Sequence, residues 1–381
     1  MDFRLDDEQD MIVQTIRRFA DRDLRAWAAD ADRAGAPPER LHTQAAELGF
    51  FVDAVPAEHD GALDGAYSHT TRALRGFELG RGCAAFAALL ETNVEPALAV
   101  GAWGSPAAKA ALFGSLGSGG LATFAHDSLG ALEIDQPAPP SGGAAARGQA
   151  SVVDGGGELR VSGKLGPVPV LAAASHVLVG TRDALFLLAT DGITRQPITP
   201  SGWRAARWAT ATLDGVRVPA DFVLARGADA RDKLAEVLAW LRTSLAARAA
   251  GVATGAMEHA AAYARERVQF GQPIGTFESL IRLHDDALTG ASAARLMALY
   301  AAWAIDSRAA NAADAASRAR VQAGDVVARA TVDAVQIFGG YGFVNDYPVE
   351  KLMRDARAFE ALYGDERLGR VLAAKAAAAA R

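Results

Sequence analysis

The first hundred residues alternate apolar and charged positions with a helical period. In the segment LDDEQDMIVQTIRRFADRDL, which begins at Leu5, residues three or four positions apart share a helix face. The pattern predicts an amphipathic helix that begins at an N-cap of Asp6 or Asp7. Four apolar side chains fall on the stripe that this helix is expected to bury: Met11, Ile12, Ile16 and Phe19.

Helical periodicity stops in AELGFFVDAVPAEHDGALDG, residues 46–65, where proline and several glycines predict a loop. The period returns at Tyr67 and continues to residue 94, which predicts further helix. In the segment GSPAAKAALFGSL, Ser105 is a favoured N-cap and Pro106 is tolerated at the first helical position. A short helix is therefore predicted there, and the whole N-terminal region is expected to be helical.

A different pattern begins near Leu121. A run rich in Pro, Gly and Ala, from Gln136 to Gly148, predicts a loop. Short apolar runs follow it: ELRVSG, SHVLVGT, ALFLLAT and WATATLDGVRV. Each is bounded by Gly, Asp or Pro, which is typical of strands joined by turns. A small β region that ends near Val218 and Pro219 is therefore predicted.

Long helical stripes resume at Asp229. Residues 233–270 have the length of a ten-turn helix, and residues 279–310 and 317–340 predict two more. Helices, then strands, then a helical bundle predict an α+β fold that is mostly α. The expected domains are an N-terminal helical domain at 1–120, a middle β domain at 121–226 and a C-terminal four-helix bundle at 227–381.

Net charge, the lack of long apolar runs and the cysteine content limit the functions and locations that are expected for this chain. A net charge of −6 gives no electrostatic reason to bind nucleic acid or an anionic membrane. The acidic start MDFRLDDEQD lacks the features of a signal peptide, and no run of about 18 apolar residues predicts a membrane span. The expected location is the cytoplasm. The single cysteine, Cys83, excludes an internal disulfide and, in its apolar helical surroundings, is predicted to be a core thiol.

Five segments, in order along the chain, resemble the acyl-CoA dehydrogenase family. The first helix and LGFFVDAVPAEHDGAL resemble the family's N-terminal region, and GWRAARWATATLDGVRVPADFVL is similar to the end of its β domain. YARERVQFGQPIGTFESL matches the signature R-x-x-FG-x-PI-x-x-F. The most specific match is QIFGGYGF followed by DYPVEKLMRDAR. The chain is identified as a member of this family.

The resemblance implies a fold, a cofactor and a reaction. Family members combine a helical domain, a β domain and a four-helix bundle, and they usually assemble as a dimer of dimers. They bind FAD between the β domain and the bundle, and a neighbouring subunit completes the site. The usual reaction removes two hydrogens from the α and β carbons of an acyl thioester. The expected substrate is therefore an acyl-CoA or an acyl-carrier thioester, and the expected assembly is an oligomer.

Two motifs carry the expected FAD clamp. An arginine presents a planar fork to phosphate oxygens, and glycine lets the main chain approach where a Cβ would not fit. The resemblance implies five contacts with FAD. Arg267 and Phe270 serve the FAD of a neighbouring subunit, and Gln336, Gly339 and Gly340 contact FAD from the other side.

The catalytic glutamate of the family is missing. Counting from Arg354, the position of the base in the family's IYEGT motif is occupied by Tyr363 of ALYGDE. The alternative base position of some members precedes an arginine on the long helix. Here that arginine is Arg242, which the resemblance assigns to the substrate, and Leu241 precedes it. A tyrosine with a pKa of about 10 is a poor base at pH 7.

Nearby carboxylates are the candidates to replace the base. Asp365 and Glu366 follow Tyr363 closely, and Glu360 precedes it by three residues. Either one of them serves as the base or all three are solvated carboxylates near a helix end. The sequence leaves both interpretations open.

Further departures concern the flavin ring. The family's TEP-x-x-GSD stretch corresponds to FAHDSLGAL, so that His126 and Asp127 stand where Thr and Glu are usual. The segment K-x-W-I-T-N is replaced by GKLGPVPVLAAAS, in which Lys164 is followed by neither Trp nor Thr. Neither His126 nor His176 is paired at metal-binding spacing, so no metal is predicted.

Three functions stay open. The first is an FAD-dependent acyl-CoA dehydrogenase-type enzyme with an altered active site. The second is a non-catalytic or FAD-sharing subunit, paired with a second acyl-CoA dehydrogenase-like subunit. The third is a flavin-dependent oxygenase-type enzyme of secondary metabolism, which would need no base for an α-proton.

Overall fold

The computed structural model describes residues 4–126, 150–154, 158–181 and 183–362. The predicted loop at 136–148 lies outside these residues. The N-terminal part is helical, and its helices have these bounds: α1 (Asp7–Phe19), α2 (Arg25–Ala34), α3 (Glu39–Glu47), α4 (His69–Gly82), α5 (Ala84–Leu90), α6 (Val94–Trp103) and α7 (Pro106–Gly117). A π-helical turn at Ala20–Leu24 joins α1 to α2.

Helix α1 begins where the sequence predicted but buries a different stripe. Asp6 accepts from the N–H of Gln9, and the Gln9 side chain accepts in return from the Asp6 N–H, which completes a capping box. Ile16 and Phe19 are buried as predicted, whereas Met11 is 63% exposed and Val13 takes its place in the core. The prediction for Met11 was wrong because it lies about 200° around the helix from Val13, on the solvent side.

Two further predictions for the N-terminal region are confirmed: the start of α7 at Ser105 and Pro106, and the burial of Cys83. Ser105 caps α7 by accepting from the N–H of Ala108, and Pro106 is the first helical residue. Cys83 lies between α4 and α5 in an extended conformation and is buried in the core. Burial raises the pKa of its thiol, which agrees with a structural role.

Two small sheets form the middle part. The strands have these bounds: β1 (Ala122–His126), β2 (Ala150–Asp154), β3 (Leu159–Val168), β4 (His176–Gly180), β5 (Ala184–Ala189), β6 (Thr194–Pro197), β7 (Ala209–Val218) and β8 (Val223–Arg226). One sheet has the order β1-β4-β5-β8, with β1 and β4 parallel, and the other has the order β2-β3-β7-β6. The four predicted runs correspond to β3, β4, β5 and β7, and their inward side chains form a separate apolar cluster.

The C-terminal part is a bundle of long helices, as predicted. Their bounds are α8 (Gly227–Glu266), α9 (Glu278–Asp306), α10 (Ala312–Phe338) and α11 (Pro348–Ala361). Helix α8 has 40 residues and runs through the centre of the bundle, where alanine and glycine predominate along its buried face. Among the described helices, α9 is long and apolar enough to cross a membrane by length and composition only. A helix of a soluble bundle meets the same criterion.

Glycines let α8 lie against α4 at backbone distance. A Cβ built on Gly251 would be 2.0 Å from the carbonyl oxygen of Phe77, and one on Gly80 would be 2.2 Å from that of Arg248. Such distances leave no room for a side chain, so the two helices touch through their main chains. This contact fixes α8, and therefore the residues at both of its ends, relative to the N-terminal helices.

Gly251→Ala is expected to lower the free energy of unfolding by about 1–3 kcal/mol, because the added methyl group must push α4 and α8 apart. The comparison of denaturation midpoints with the unmodified chain measures the effect. Gly114→Ala is the matched control. Gly114 lies in α7 with no atom within 4 Å of an added Cβ, so alanine there should be neutral or stabilise by about 0.5–1 kcal/mol. Equal midpoints for both variants would contradict the close contact.

Candidate cofactor site

A tight hairpin after α8 carries two of the predicted clamp residues. Arg267 is the C-cap of α8, and strands β9 (Val268–Gln269) and β10 (Gln272–Pro273) follow it. The turn residues Phe270 and Gly271 have φ angles of 53° and 81°, as a type I′ turn requires. Phe270 is 94% exposed. Positive φ is uncommon for a residue other than glycine, so the backbone at Phe270 is strained, and its ring lies in the open at the tip of the hairpin.

The predicted glycine pair ends α10. Gly339 has φ 57° and ψ −134°, a conformation that glycine adopts readily. Its N–H donates to the carbonyl of Gln336, whose side chain is exposed on the last helical turn. Gly340 does not have positive φ, and a Cβ there would have no atom within 4 Å. Packing within the described residues therefore does not require glycine at 340, whereas close approach of a ligand to the main chain would.

An open groove of about 530 Å³ joins the two segments. Arg267, Gly339 and Gly340 line it together, because the C-terminal ends of two different helices, α8 and α10, meet there. Phe270 and Gln336 are outside its lining. The structure therefore brings together three of the five predicted clamp residues in one chain, so that Arg267 and the glycine pair face the same groove rather than contacting a ligand from two subunits. Phe270 lies at the tip of the hairpin that follows Arg267.

The arginine in this groove, Arg267, contacts an aromatic ring rather than a carboxylate. The guanidinium of Arg267 lies over the ring of Tyr341, 5.3 Å from its centroid. No ion pair joins Arg267 to a carboxylate within the part of the chain that the structure describes. A half-buried cation of this kind, beside exposed glycine backbone, is suited to a phosphate, which arginine binds through two parallel N–H donors.

Aromatic side chains line the groove and pack against one another beside it. Tyr263 stacks on Phe338 with ring centroids 4.2 Å apart, and Tyr347 meets Phe338 and Tyr341 edge-on at 5.4 and 5.5 Å. Burial raises the pKa of Tyr263, which keeps its phenol neutral. This cluster was not predicted from the sequence, although Tyr263 lies one helical turn before Arg267, the C-cap of the same helix.

Arg242, the predicted substrate residue, lies in the middle of α8. It is half-buried, and Leu241 beside it is buried. The alternative base position is thus an apolar residue in a packed environment. The described structure does not place Arg242 in the groove of Arg267, so the two predicted functions of this helix lie at separate points along it.

Comparison with known proteins decides the family. The models of the N-terminal and C-terminal domains of acyl-CoA dehydrogenase match residues 6–120 and 232–378. Over 370 residues, 94% of each chain, the protein is 31% identical to the benzylmalonyl-CoA dehydrogenase of Aromatoleum aromaticum. The chain belongs to the acyl-CoA dehydrogenase family.

Other members of the acyl-CoA dehydrogenase family agree over the full length. The cyclohex-1-ene-1-carbonyl-CoA dehydrogenase of Geobacter metallireducens is 28% identical over 384 residues, 98% of each chain. Among solved structures, a glutaryl-coenzyme A dehydrogenase in complex with glutaryl-CoA has a TM-score of 0.87 and 25% identity. That comparison covers 100% of this chain and 98% of the other. The predicted fold class is therefore confirmed.

Within this acyl-CoA dehydrogenase fold, the segment that departs from K-x-W-I-T-N is apolar. Lys164 is exposed on β3, and a Cβ added to Gly166 would have no atom within 4 Å. Val168 and Val170 are buried, and Val170 has φ 68°. Its N–H is bonded to the carbonyl of Ala206 at 2.7 Å. The side chains from Lys164 to Val170 therefore offer no hydroxyl or indole group to a flavin ring.

The two histidines do not form a pair. His126 ends β1 and His176 begins β4, and the parallel register places them at opposite ends of these neighbouring strands. His176 is half-buried, its Nδ1 is 3.1 Å from the hydroxyl of Ser175, and burial lowers its pKa. Among the described residues no group of three or more His, Cys, Asp or Glu side chains is placed to hold a metal ion.

The catalytic candidates Tyr363, Asp365 and Glu366 lie outside the described residues, as does Asp127. Glu360 is described, on the last turn of α11, where it forms an ion pair with Arg357 at 2.5 Å on the surface. The structure therefore places this carboxylate in an exposed pair on its own helix.

A charged cluster that the sequence analysis did not identify lies in the N-terminal core. Arg72 on α4 binds Glu91 at 2.6 Å and Glu95 at 2.7 Å, and Arg75 binds Glu91 at 2.7 Å. Burial would raise the pKa of Glu91, but Arg75 and Arg72 outweigh it and hold that pKa at about 2. Glu91 therefore stays ionised and paired, and the cluster belongs to the packing of α4 against α5 and α6.

Proposed function

We propose that this chain is an FAD-dependent, acyl-CoA dehydrogenase-like flavoprotein whose active site departs from the usual one. The observation that carries the proposal is the groove in which Arg267 meets Gly339 and Gly340. Relatives in the family, named as dehydrogenases of acyl-CoA thioesters, support the same class of reaction. Two structural neighbours described with FAD or FADH2 share the fold.

The residues of the groove fit FAD. Arg267 has no acid to neutralise it among the described residues, and the main chain at Gly340 is open to a ligand. In the bound state Arg267 would donate to pyrophosphate oxygens, and Gly339 and Gly340 would let the backbone approach the cofactor. Phe270, on its exposed tip, would reach a neighbouring subunit, which supports an oligomer as the working form.

The differences from the family pattern affect the removal of the α-proton more than the binding of FAD. When bound, FAD supplies the acceptor for the two hydrogens removed from an acyl thioester. The removal of the α-proton needs an ionised base within hydrogen-bond reach, and the family position for it holds Tyr363. Arg242 is proposed to orient the substrate, which we take to be an acyl-CoA, with an acyl-carrier thioester as the other member of the same chemical class.

The apolar segment after Lys164 favours a second candidate function. If Gly166, Val168 and Val170 make poor contacts with a flavin ring, the chain would retain the clamp while a partner completes the catalytic half of the site. The protein would then be an FAD-sharing subunit beside a second family member. Co-expression with a family member that has an intact YEGT motif distinguishes the two, because only the second candidate predicts a stable mixed oligomer with new activity.

Arg267→Ala is expected to weaken FAD binding by roughly ten- to a hundredfold, because hydrogen bonds to a charged group contribute about 1.5–3 kcal/mol each. The measurement is titration of the flavin-free protein with FAD, followed by flavin fluorescence. Arg265→Ala is the matched control, since Arg265 is exposed two residues earlier on the same helix and removal of its charge should change the affinity by less than about threefold. Equal losses in both variants, or no FAD binding by the unmodified chain, would contradict the proposed clamp.

A further inference from the structure

Tyr341 is in direct contact with the clamp arginine, and neither the family motif nor the sequence analysis assigned it a role. Its ring lies 5.3 Å from the guanidinium of Arg267, inside the turn between Gly340 and Gly342. We propose that Tyr341 is a positioning residue that holds the guanidinium of Arg267 in place to receive a phosphate oxygen of FAD. The inference rests on the proposed function of this groove.

The way in which the ring is held supports a fixed position. Tyr341 meets Tyr347 edge-on at 5.5 Å and Tyr263 at 6.4 Å. Tyr263 belongs to the same helix as Arg267 and is four residues before it, while Tyr347 directly precedes α11. One face of Tyr341 is thus available to the arginine although its ring touches two other elements. Arg267 therefore lies over a ring that two other parts of the chain, α8 and the residue before α11, hold in place.

An aromatic ring positions the guanidinium of Arg267 for a phosphate better than a carboxylate would. Most arginines around the N-terminal helices are paired with acids, as Arg25, Arg72 and Arg81 are. A carboxylate beside Arg267 would neutralise the charge and repel a phosphate. A ring restricts the guanidinium through its negative face but leaves the charge and the N–H donors available. Since ordering a long side chain on binding costs free energy, an arginine that is already positioned binds an anion more tightly.

A double-mutant cycle on FAD affinity tests this role. Tyr341→Leu removes the ring and should weaken FAD binding about two- to fivefold, the range of a cation–π contact at an exposed site. Tyr341→Phe keeps the ring and should bind FAD as the unmodified chain does. Tyr341→Leu combined with Arg267→Ala should bind no more weakly than Arg267→Ala alone, because the ring acts only through the arginine.

Tyr300→Leu is the matched control. Tyr300 and Tyr341 are each 44% exposed, and Tyr300 stacks on Trp303 at the far end of α9, so its loss should leave FAD affinity unchanged. If Tyr341→Leu binds FAD like the unmodified chain, or weakens binding equally with and without Arg267, the positioning role is overturned while the clamp survives. If the unmodified chain binds no FAD, the proposed function and the positioning role fall together. Normal binding by Tyr341→Phe, with loss only in Tyr341→Leu, supports the inference.

Discussion

Tyr363→Glu is expected to raise the rate at which saturated acyl-CoA thioesters bleach the flavin of this protein by roughly 10²- to 10⁴-fold. That range is the usual contribution of a positioned general base to proton transfer. The α-proton of a thioester is weakly acidic, and a neutral phenol with a pKa near 10 accepts little of it at pH 7. A glutamate at the same position would be ionised. The measurement is anaerobic absorbance of the oxidised flavin after mixing with a panel of saturated acyl-CoA thioesters.

The matched control is Tyr363→Gln, which has the size of the glutamate variant without its charge and should stay as slow as the unmodified chain. Rapid bleaching by the unmodified chain would show that another residue is the base, with Asp365 and Glu366 as the candidates. Such a result would falsify the claim that the base is missing. If the glutamate variant bleaches no faster, the apolar segment after Lys164 becomes the explanation, and the FAD-sharing subunit becomes the favoured function.

The sequence predicted those features that depend on neighbouring residues. The N-cap at Asp6, for which Asp7 was the alternative, the N-cap at Ser105 and the long helices of the C-terminal bundle follow from local backbone chemistry, and each was predicted correctly. Met11 was placed wrongly because two overlapping apolar stripes fit the same segment, and only packing chooses between them. Short strands such as β6 and β8 were not predicted, since four residues contain too little alternation to be distinguished from loop.

The clamp was predictable in part. Family motifs identified Arg267, Gly339 and Gly340, and the structure brings them to one groove. The ring of Tyr341 was not identified, because contact with Arg267 depends on a fold that brings together positions 74 residues apart (341 minus 267). The ion-pair partners of buried charged residues cannot be predicted from a single sequence either. Nothing in the local sequence pairs Arg72 with Glu91, and the packing of α4 against α5 buries both of them.

Asp355→Ala is expected to lower the free energy of unfolding by about 3–5 kcal/mol, the usual cost of removing one partner from a buried ion pair. Asp355 is fully buried on α11 and accepts from Nζ of Lys351 at 2.5 Å and from the N–H of Trp203 at 2.7 Å. Burial alone would lower the pKa of Lys351, but Asp355 outweighs it and holds that pKa above its usual value. Without the carboxylate, a buried ammonium and a buried N–H lose their acceptor.

Glu360→Ala is the matched control for Asp355→Ala. It breaks another ion pair of α11, with Arg357, which is exposed and should contribute no more than about 1 kcal/mol. Lys351→Met combined with Asp355→Ala separates the two causes. Removal of both charges should recover part of the stability, because the unpaired ammonium is gone while the N–H of Trp203 still lacks an acceptor. A loss in Asp355→Ala no larger than in Glu360→Ala would mean that Lys351 finds another acceptor or reaches water. In that case α11 would not be fixed to the β domain through this carboxylate.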